Sequence, residues 1–300
     1  MLSCKPWEGR DAGRAVREEG RVSESVKAAY QTTSDYDVRV RTHELYSVAE
    51  GSWPEWLVAQ LPREGVRAVL DVGCGTGGIL RLIAAAGIGE RWVGVDQSAG
   101  MVETARALAD EAGLALEFRQ GDILDPPRDE ERFDLICACH MLYHVPDIAP
   151  AVANCARLLA PGGTFVATTN SRDTMAPYDE DVWRAVRERL PRVRPDAAAH
   201  ARFSLENGAE FLLPHFDRIE LRVRRDAFRF PSPEPWAAYL KSGRQLDMPA
   251  DHTDEEWAEV AAMLDDIARK QFTGDELVVP KVAGMFVCGR SKPNVELRSC

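Results

Sequence analysis

Polar and apolar positions change rhythm along these 300 residues. Residues 1–22 are polar, charged and glycine-containing, and are expected to be mobile. Residues 23–60 read as helical pieces, with Ser23 and Ser25 as caps and Trp53, Trp56 and Leu57 at helical spacing. Short apolar runs then alternate with amphipathic stretches. AVLDV (68–72), WVGVD (92–96), ALEFRQ (115–120), FDLICAC (133–139) and TFVATTN (164–170) read as strands. Helices are expected over Gly77–Ala86, after the cap Ser98, and over IAPAVANCARLLAPGG, where Pro161-Gly162-Gly163 stops the last one. Strands and helices alternating at this spacing predict a parallel, doubly wound α/β sheet.

After Asn170 the alternation breaks. Residues 171–213 are helical, charged and proline-punctuated. RIELRV (218–223) has period two, with Ile219, Leu221 and Val223 on one face. Helices are expected around Trp236–Leu240 and over Asp254–Phe272, and GMFVCGR (284–290) reads as a last strand. The pattern thus divides into a mobile 1–22, a helical lid at 23–60, a core at 61–170, a helical cap at 171–213, the end of the sheet with further cap helices at 214–291, and a tail at 292–300.

Charge and cysteine usage narrow the picture only a little. With 37 Lys and Arg against 48 Asp and Glu, the formal charge is −11, so a generic nucleic-acid binder is not expected. The seven cysteines include no C-x-x-C pair. Cys137 and Cys139 share one strand face, so small buried thiols, not a metal site, are expected. The N-terminus lacks an apolar signal core and no run of about 18 apolar residues occurs, which points to a cytoplasmic protein with no membrane span.

The chemistry is concentrated at the ends of strands. LDVGCGTGG (70–78) contains G-x-G-x-x-G, formally a dinucleotide fingerprint, but Asp71 stands two residues before its first glycine. A carboxylate there would repel a pyrophosphate. In open α/β sheets the ligand lies at the carboxyl ends of the strands. There the sequence supplies Asp71 and Gly73 after the first strand, Asp96 after the second, Asp122 after the third and His140 after the fourth. The Asp125-Pro126-Pro127 run precedes the fourth strand and is followed by Arg128, so it reads as a loop breaker.

These segments, LDVGCGTGG, GVDQSAGMVETAR (94–106), GDI (121–123), FDLICACHMLYHVPD (133–147) and RLLAPGGTFVAT (157–168), resemble the class I S-adenosylmethionine-dependent methyltransferases in order and spacing. The resemblance covers about residues 66–170, with a weaker echo in 216–223 and 284–290. It implies a seven-stranded, mostly parallel sheet with an N-terminal helical lid and a helical cap. It implies S-adenosyl-L-methionine as cofactor, held by Asp71, Gly73, Cys74, Gly75, Asp96, Gln97, Met101, Asp122, Ile123 and His140. Asp96 would accept from both ribose hydroxyls, Asp122 from the adenine amine, and Ile123 would cover the ring. Tyr30 and Tyr36 are candidates for an aromatic lid over the sulfonium.

On the acceptor side, His140, Tyr143 and His144 are spaced to share one face of a helical turn. His144 is the first candidate for a general base, with His140 and Tyr143 beside it; Arg41 and His43 could reach the same mouth. RAVRERLPRVR (184–194) and RIELRVRRDAFR (218–229) each hold five arginines, readable as a solvated face or as a fork for an anionic acceptor. The expected function is methylation of a small molecule, a secondary metabolite, at oxygen, nitrogen or carbon. The rivals are a tRNA or protein methyltransferase, a nicotinamide-dependent oxidoreductase, and a binding module that kept the site without turnover. The sequence leaves open whether the chain is a monomer or a homodimer.

Overall fold

The computed structural model describes residues 34–126, 131–176, 178–191, 199–244, 248–249 and 251–290. Two helices come first, α1 (Ser34–Tyr46) and α2 (Trp53–Ala59). Ser52 starts α2 with a reciprocal cap: its hydroxyl accepts from Glu55 N, and the Glu55 carboxylate accepts from Ser52 N. The core follows as β1 (Ala68–Val72), α3 (Gly78–Ala85), β2 (Arg91–Asp96), α4 (Ala99–Glu111), β3 (Glu117–Gln120) and β4 (Phe133–Cys139). A 3-10 turn (Leu142–His144) leads into α5 (Ile148–Leu158) and β5 (Leu159–Asn170). Then come α6 (Tyr178–Arg189), α7 (Ala199–Arg202), α8 (Gly208–Leu212), β6 (Arg218–Phe230), α9 (Pro233–Lys241), α10 (Asp254–Gln271) and β7 (Leu277–Gly289).

The strands form one seven-stranded sheet in the order β3-β2-β1-β4-β5-β7-β6. β1 pairs in parallel with β2 and β4, while β7 runs antiparallel between β5 and β6. The expected fold class is therefore the observed one. The chain leaves β1 in one direction and β4 in the other, so the switch point lies between them, above Asp71 and Cys139.

Two apolar layers cover the sheet. On one face α2, α3 and α4 pack Leu57, Leu80, Ile83 and Val102 against Val69, Leu135 and Met285. On the other, α5 and α8 pack Val152, Ala156 and Leu212 against Leu70, Ile136, Phe165 and Phe286. A third cluster lies at the outer halves of β6 and β7. There α6, α9 and α10 enclose Phe228, Phe230 and Val279, with Trp236 fully buried. Residues 171–213, read from sequence as one cap, separate accordingly. Helix α6 joins the third cluster, whereas Phe203, Leu212 and Phe216 belong to the sheet's own core.

Two local expectations are corrected. Helix α5 ends at Leu158, and Pro161-Gly162-Gly163 lies inside β5 as an irregularity opposite Phe133 and Leu135. Gly162 takes φ +81°, which lets the strand turn there. In β6, Leu221 and Val223 are each 44% exposed, because this is an edge strand and among the described residues nothing buries that face. The intervening arginines are the ones held. Arg222 donates to Gln60 O, and Arg224, 7% exposed, donates to the carbonyls of Glu50, Gly51 and Ser52. Arg224 therefore fastens the entry to α2 and Arg222 its C-terminal end, and neither forms a ligand fork. Cys74, Cys137, Cys155 and Cys288 are buried and Cys139 is half-buried, all as free thiols; Cys4 and Cys300 lie outside the described residues.

Both β6 and β7 run 13 residues, longer than the sequence pattern suggested. Their outer halves carry a buried ion pair, Lys281 Nζ to Asp226 Oδ2 at 2.9 Å. The same ammonium donates to Ser47 Oγ, lies 3.2 Å from His43 Nδ1, and sits 3.8 Å from the Phe228 ring centroid. Asp226 Oδ1 also accepts from Val48 N and Ala49 N, so the pair locks the end of α1 onto the hairpin. Hydrogen bonds and the Lys281 charge outweigh desolvation and hold the Asp226 carboxyl down to about 2, from an ordinary 3.8. Its stabilisation is present above the ordinary value and is lost as pH falls through the folded one. Asp226→Ala strands a buried ammonium and is expected to cost about 3 kcal/mol or more in urea unfolding at pH 7. Asp226→Ala/Lys281→Met is expected to recover a large part of that loss; equal cost in the single and double variants would show that the pair does not carry it.

Candidate active site

The site forms where β1, β2, β3 and β4 end. Gly73 N and Cys74 N both donate to Val95 O, which bends the chain sharply after β1. Asp96 then ties this turn to the next element. Its Oδ2 accepts from Gly75 N at 2.8 Å and its Oδ1 from Ser98 N at 2.9 Å, while Ser98 caps α4 by accepting from Met101 N. An ionised carboxylate offers about four acceptor positions, so two remain for further donors.

The glycines have separate jobs. Gly73, at φ +66°, lies under Met141: a Cβ there would come within 2.8 Å of the Met141 Cβ. Gly77, at φ +72°, lets Phe118 of β3 pack against the start of α3. Gly75 has φ +53° and nothing within 4 Å of where its Cβ would be. Its open side, and the uncapped first turn of α3 behind Gly77, are what the loop presents to a ligand. Gly78 meets nothing either and begins the helix.

Asp71 lies near the end of β1 and is 2% exposed, yet among the described residues its Oδ1 has no hydrogen-bond partner. Burial, and secondarily the Asp96 charge, raise its carboxyl to about 8. A buried carboxyl with a free oxygen is an expensive arrangement unless a donor or cation completes it. Asp122 begins a turn after β3, accepting from Leu124 N through Oδ1, and Ile123 beside it is 6% exposed. Beneath this turn lies an apolar cavity of about 90 Å³ lined by Val72, Val93, Val95, Ile123 and Phe133. Gln97 O accepts from Gln120 Nε2, joining the loops after β2 and β3. Met101 is buried in the first turn of α4. The Cys74 side chain faces the α2–α4 layer, where its Sγ lies under Gly94, so only its backbone belongs to the loop.

The β4 end supplies the rings. His140 sits at φ +51°, held there because its N–H donates to Thr168. Positive φ in a non-glycine residue costs about 1–3 kcal/mol and tends to occur at working sites. Its ring meets Trp53 edge-on at 5.3 Å and Tyr143 at 6.4 Å, and Tyr143 meets His144 at 4.5 Å. The three residues are thus close, with Tyr143 and His144 on a 3-10 turn and His140 before it, so they do not share one face of an α-helix. Desolvation lowers His140 to about 4; desolvation and then Arg39 lower His144 to about 3. Both rings are neutral at physiological pH. Arg202 donates to Tyr143 O and Pro146 O, fixing the turn from the cap side.

Of the expected lid tyrosines, Tyr30 lies outside the described residues, and Tyr36 falls within α1 with its side chain outside them. His43 is turned to the cap, edge-on to Phe228 at 4.8 Å, and desolvation lowers it to about 3. Trp53 and Met141 were not singled out from sequence as site residues. Met141 lies inside the quoted HMLYH run, and Trp53 is the N-terminal aromatic that does meet the site.

Residues 69–163 match the methyltransferase-domain family. This segment is similar to a methyltransferase domain. Among curated proteins it is 36% identical over 122 residues to the ubiquinone biosynthesis O-methyltransferase of Coxiella burnetii, covering 41% of this chain and 51% of that protein. The enzyme of the same name from Actinobacillus pleuropneumoniae is 39% identical over 115 residues, 37% of this chain and 48% of that one. The chain spans about half the length of the curated relatives it matches. Among solved structures, a candidate methyltransferase of Bacillus halodurans aligns with TM-score 0.57 at 21% identity, over 80% of this chain and all of that one. The [4+2]-cyclase SpnF aligns with TM-score 0.54 at 20% identity, over 87% and 96%. These two likenesses speak to the fold.

Gly73→Ala and Gly75→Ala separate packing from binding. Both carry a positive-φ penalty of about 1 kcal/mol, but only Gly73→Ala must also displace Met141. Thermal unfolding is expected to show the larger loss for Gly73→Ala. Gly75→Ala is expected to weaken nucleoside binding more than it lowers Tm, and the reverse ordering would contradict this division of roles.

Proposed function

We propose that the protein is an S-adenosyl-L-methionine-dependent methyltransferase acting on a small molecule. The observation that carries the reading is Asp71, a buried carboxyl with an oxygen lacking a partner among the described residues, beside a glycine turn that leaves Gly75 open. The residues fit the cofactor. Asp71 would meet its cationic amino-acid end, the N–H groups at the start of α3 its carboxylate, Asp96 its ribose hydroxyls, and Asp122 with Ile123 its adenine over the apolar cavity. When bound, the sulfonium supplies a methyl group already activated for transfer.

The chain's own task is then alignment and proton removal. The Trp53, His140 and Tyr143 rings shape a water-poor mouth at the β4 end, and neutral His144 is the residue we assign as base. The small-molecule acceptor is supported by the curated relatives, which are named as O-methyltransferases of ubiquinone biosynthesis. It is also supported by the plantazolicin methyltransferase BpumL, solved with a desmethylplantazolicin analogue and S-adenosylhomocysteine, which aligns over 94% of this chain with TM-score 0.50 at 12% identity. The acidic balance and the structural use of Arg222 and Arg224 weigh against nucleic acid as acceptor. No helix among the described residues is long and apolar enough to cross a membrane.

Isothermal titration with S-adenosylmethionine and, separately, NADH tests the cofactor. Binding of the first alone is expected, and failure of well-folded protein to bind it would overturn the proposal. Asp96→Ala is expected to weaken that binding by about 2–4 kcal/mol, since hydroxyl donors lose a charged acceptor. Below about pH 8 the free Asp71 carries a proton, which the cationic ligand displaces. Affinity should therefore rise with pH up to that value and level off above it. Titrations at pH 7 in two buffers of different ionisation enthalpy should reveal proton release, absent in Asp71→Asn; no release in the unaltered protein would refute the assigned role of Asp71.

A further inference from the structure

We propose that the protein forms a homodimer in which the open edge of β6 pairs antiparallel with the same strand of a second copy, about a two-fold axis at Leu221. The inference concerns the sheet edge and does not rest on the methyltransferase reading.

The argument begins with what β6 leaves unpaired. It is the outermost strand on its side of the sheet. Ser47 bridges to Phe228 and Val48 N donates to Ala227 O, so residues 47–49 cover the edge only as far as Asp226. Backbone groups alternate in direction along a strand, and Ala227 O points outward. Ile219, Leu221, Val223 and Arg225 therefore turn their N–H and C=O groups to the same edge, where among the described residues no hydrogen bond meets them. Leu221 and Val223 are exposed here. Their neighbours in β7, Phe286 and Gly284, are met by Gly208 of α8 and by Leu205, one strand further in. Open backbone groups beside exposed apolar side chains make a template for another strand. The opposite edge is different: β3 is only four residues long, and its Arg119 is ion-paired to Glu117 and Glu131.

The charges of β6 select the occupant and the register. An axis at Leu221 sets that residue opposite its own copy as a hydrogen-bonded pair, with Ile219 opposite Val223. The same register sets Glu220 opposite Arg222 on both sides of the axis, and Asp217 opposite Arg225. Centring the axis on Glu220, Arg222 or Val223 would instead oppose like charges. The Leu221 register does place Arg218 opposite Arg224, but both guanidinium groups are drawn off within their own chain. That of Arg218 lies over Gly289, and that of Arg224 donates to the carbonyls of Glu50, Gly51 and Ser52. Glu220 and Arg222 already pair within the chain at 2.8 Å, so the second copy joins two pairs into one network across the axis. An edge that is complementary to itself closes on one partner and gives a dimer, not a filament.

Sedimentation velocity of the full chain over a concentration series tests this. A ladder of this length is a modest interface, so a concentration-dependent monomer–dimer equilibrium is expected. Glu220→Arg and Arg222→Glu, each alone, should weaken the dimer about tenfold or more, because each sets like charges opposite one another on both sides of the axis. An equimolar mixture of the two variants restores opposite charges and should dimerise again. Arg222→Glu also releases Gln60, so thermal unfolding checks that each variant is folded, and a cysteine supplies an independent reading. Leu221→Cys in a Cys4→Ser/Cys300→Ser background should form a covalent dimer under mild oxidation, since hydrogen-bonded antiparallel partners bring their Cα atoms to about 5.5 Å. A chain that stays monomeric at its highest soluble concentration overturns the proposal, as does a dimer unaffected by either charge variant with no Leu221→Cys cross-link. A full chain that is monomeric but dimerises once residues 291–300 are removed would assign the edge to that tail and overturn it equally.

Discussion

One carboxylate organises the ligand end of this protein. Asp96 closes β2 and accepts backbone N–H groups from both Gly75 and Ser98, so it fixes the glycine turn and the start of α4 to one strand end. The strands below make that possible. β1 is held between β2 and β4 with Asp71 in register with Gly94 and Cys137, and Gly94 has no side chain to obstruct Phe118 and Cys74 beneath the turn. Substituting Gly94 would push Phe118 and, through it, Gly77. The loop is thus shaped from below by packing and from the side by hydrogen bonds, before any ligand arrives.

That arrangement concentrates negative charge at one end. Asp71 and Asp96 repel each other, and burial raises Asp71 to about 8 instead of letting both ionise. At the β4 end desolvation keeps the His140 and His144 rings neutral, and Arg39 adds to the effect at His144.

Much of this was legible in the sequence, and the reason is locality. Between Ala68 and Asn170, β1, β2 and β4 are each followed by their own loop and helix, so periodicity and capping residues carry the information, and Asp71, Asp96, Asp122 and His140 fall at strand ends by count alone. What was not legible depends on long-range contact. Lys281 meets Ser47 and His43 from more than 230 positions away. Arg224 looked like one charge in a run, yet it is buried on three carbonyls near residue 51. Leu221 and Val223 alternate as a buried face would, but an edge position left them in the open. The Gly73–Met141 contact joins two recognised segments through a side chain to which neither periodicity nor motif assigns a role.

The central claim is that three strand-end carboxylates form a site for a cation-bearing nucleoside, and a crystal structure with S-adenosylhomocysteine tests it most directly. The account predicts the ribose hydroxyls on Asp96, the adenine over Ile123 with its amine on Asp122, and the amino group hydrogen-bonded to Oδ1 of Asp71. A nucleoside bound elsewhere, or bound here with Asp71 Oδ1 still without a partner, would contradict it.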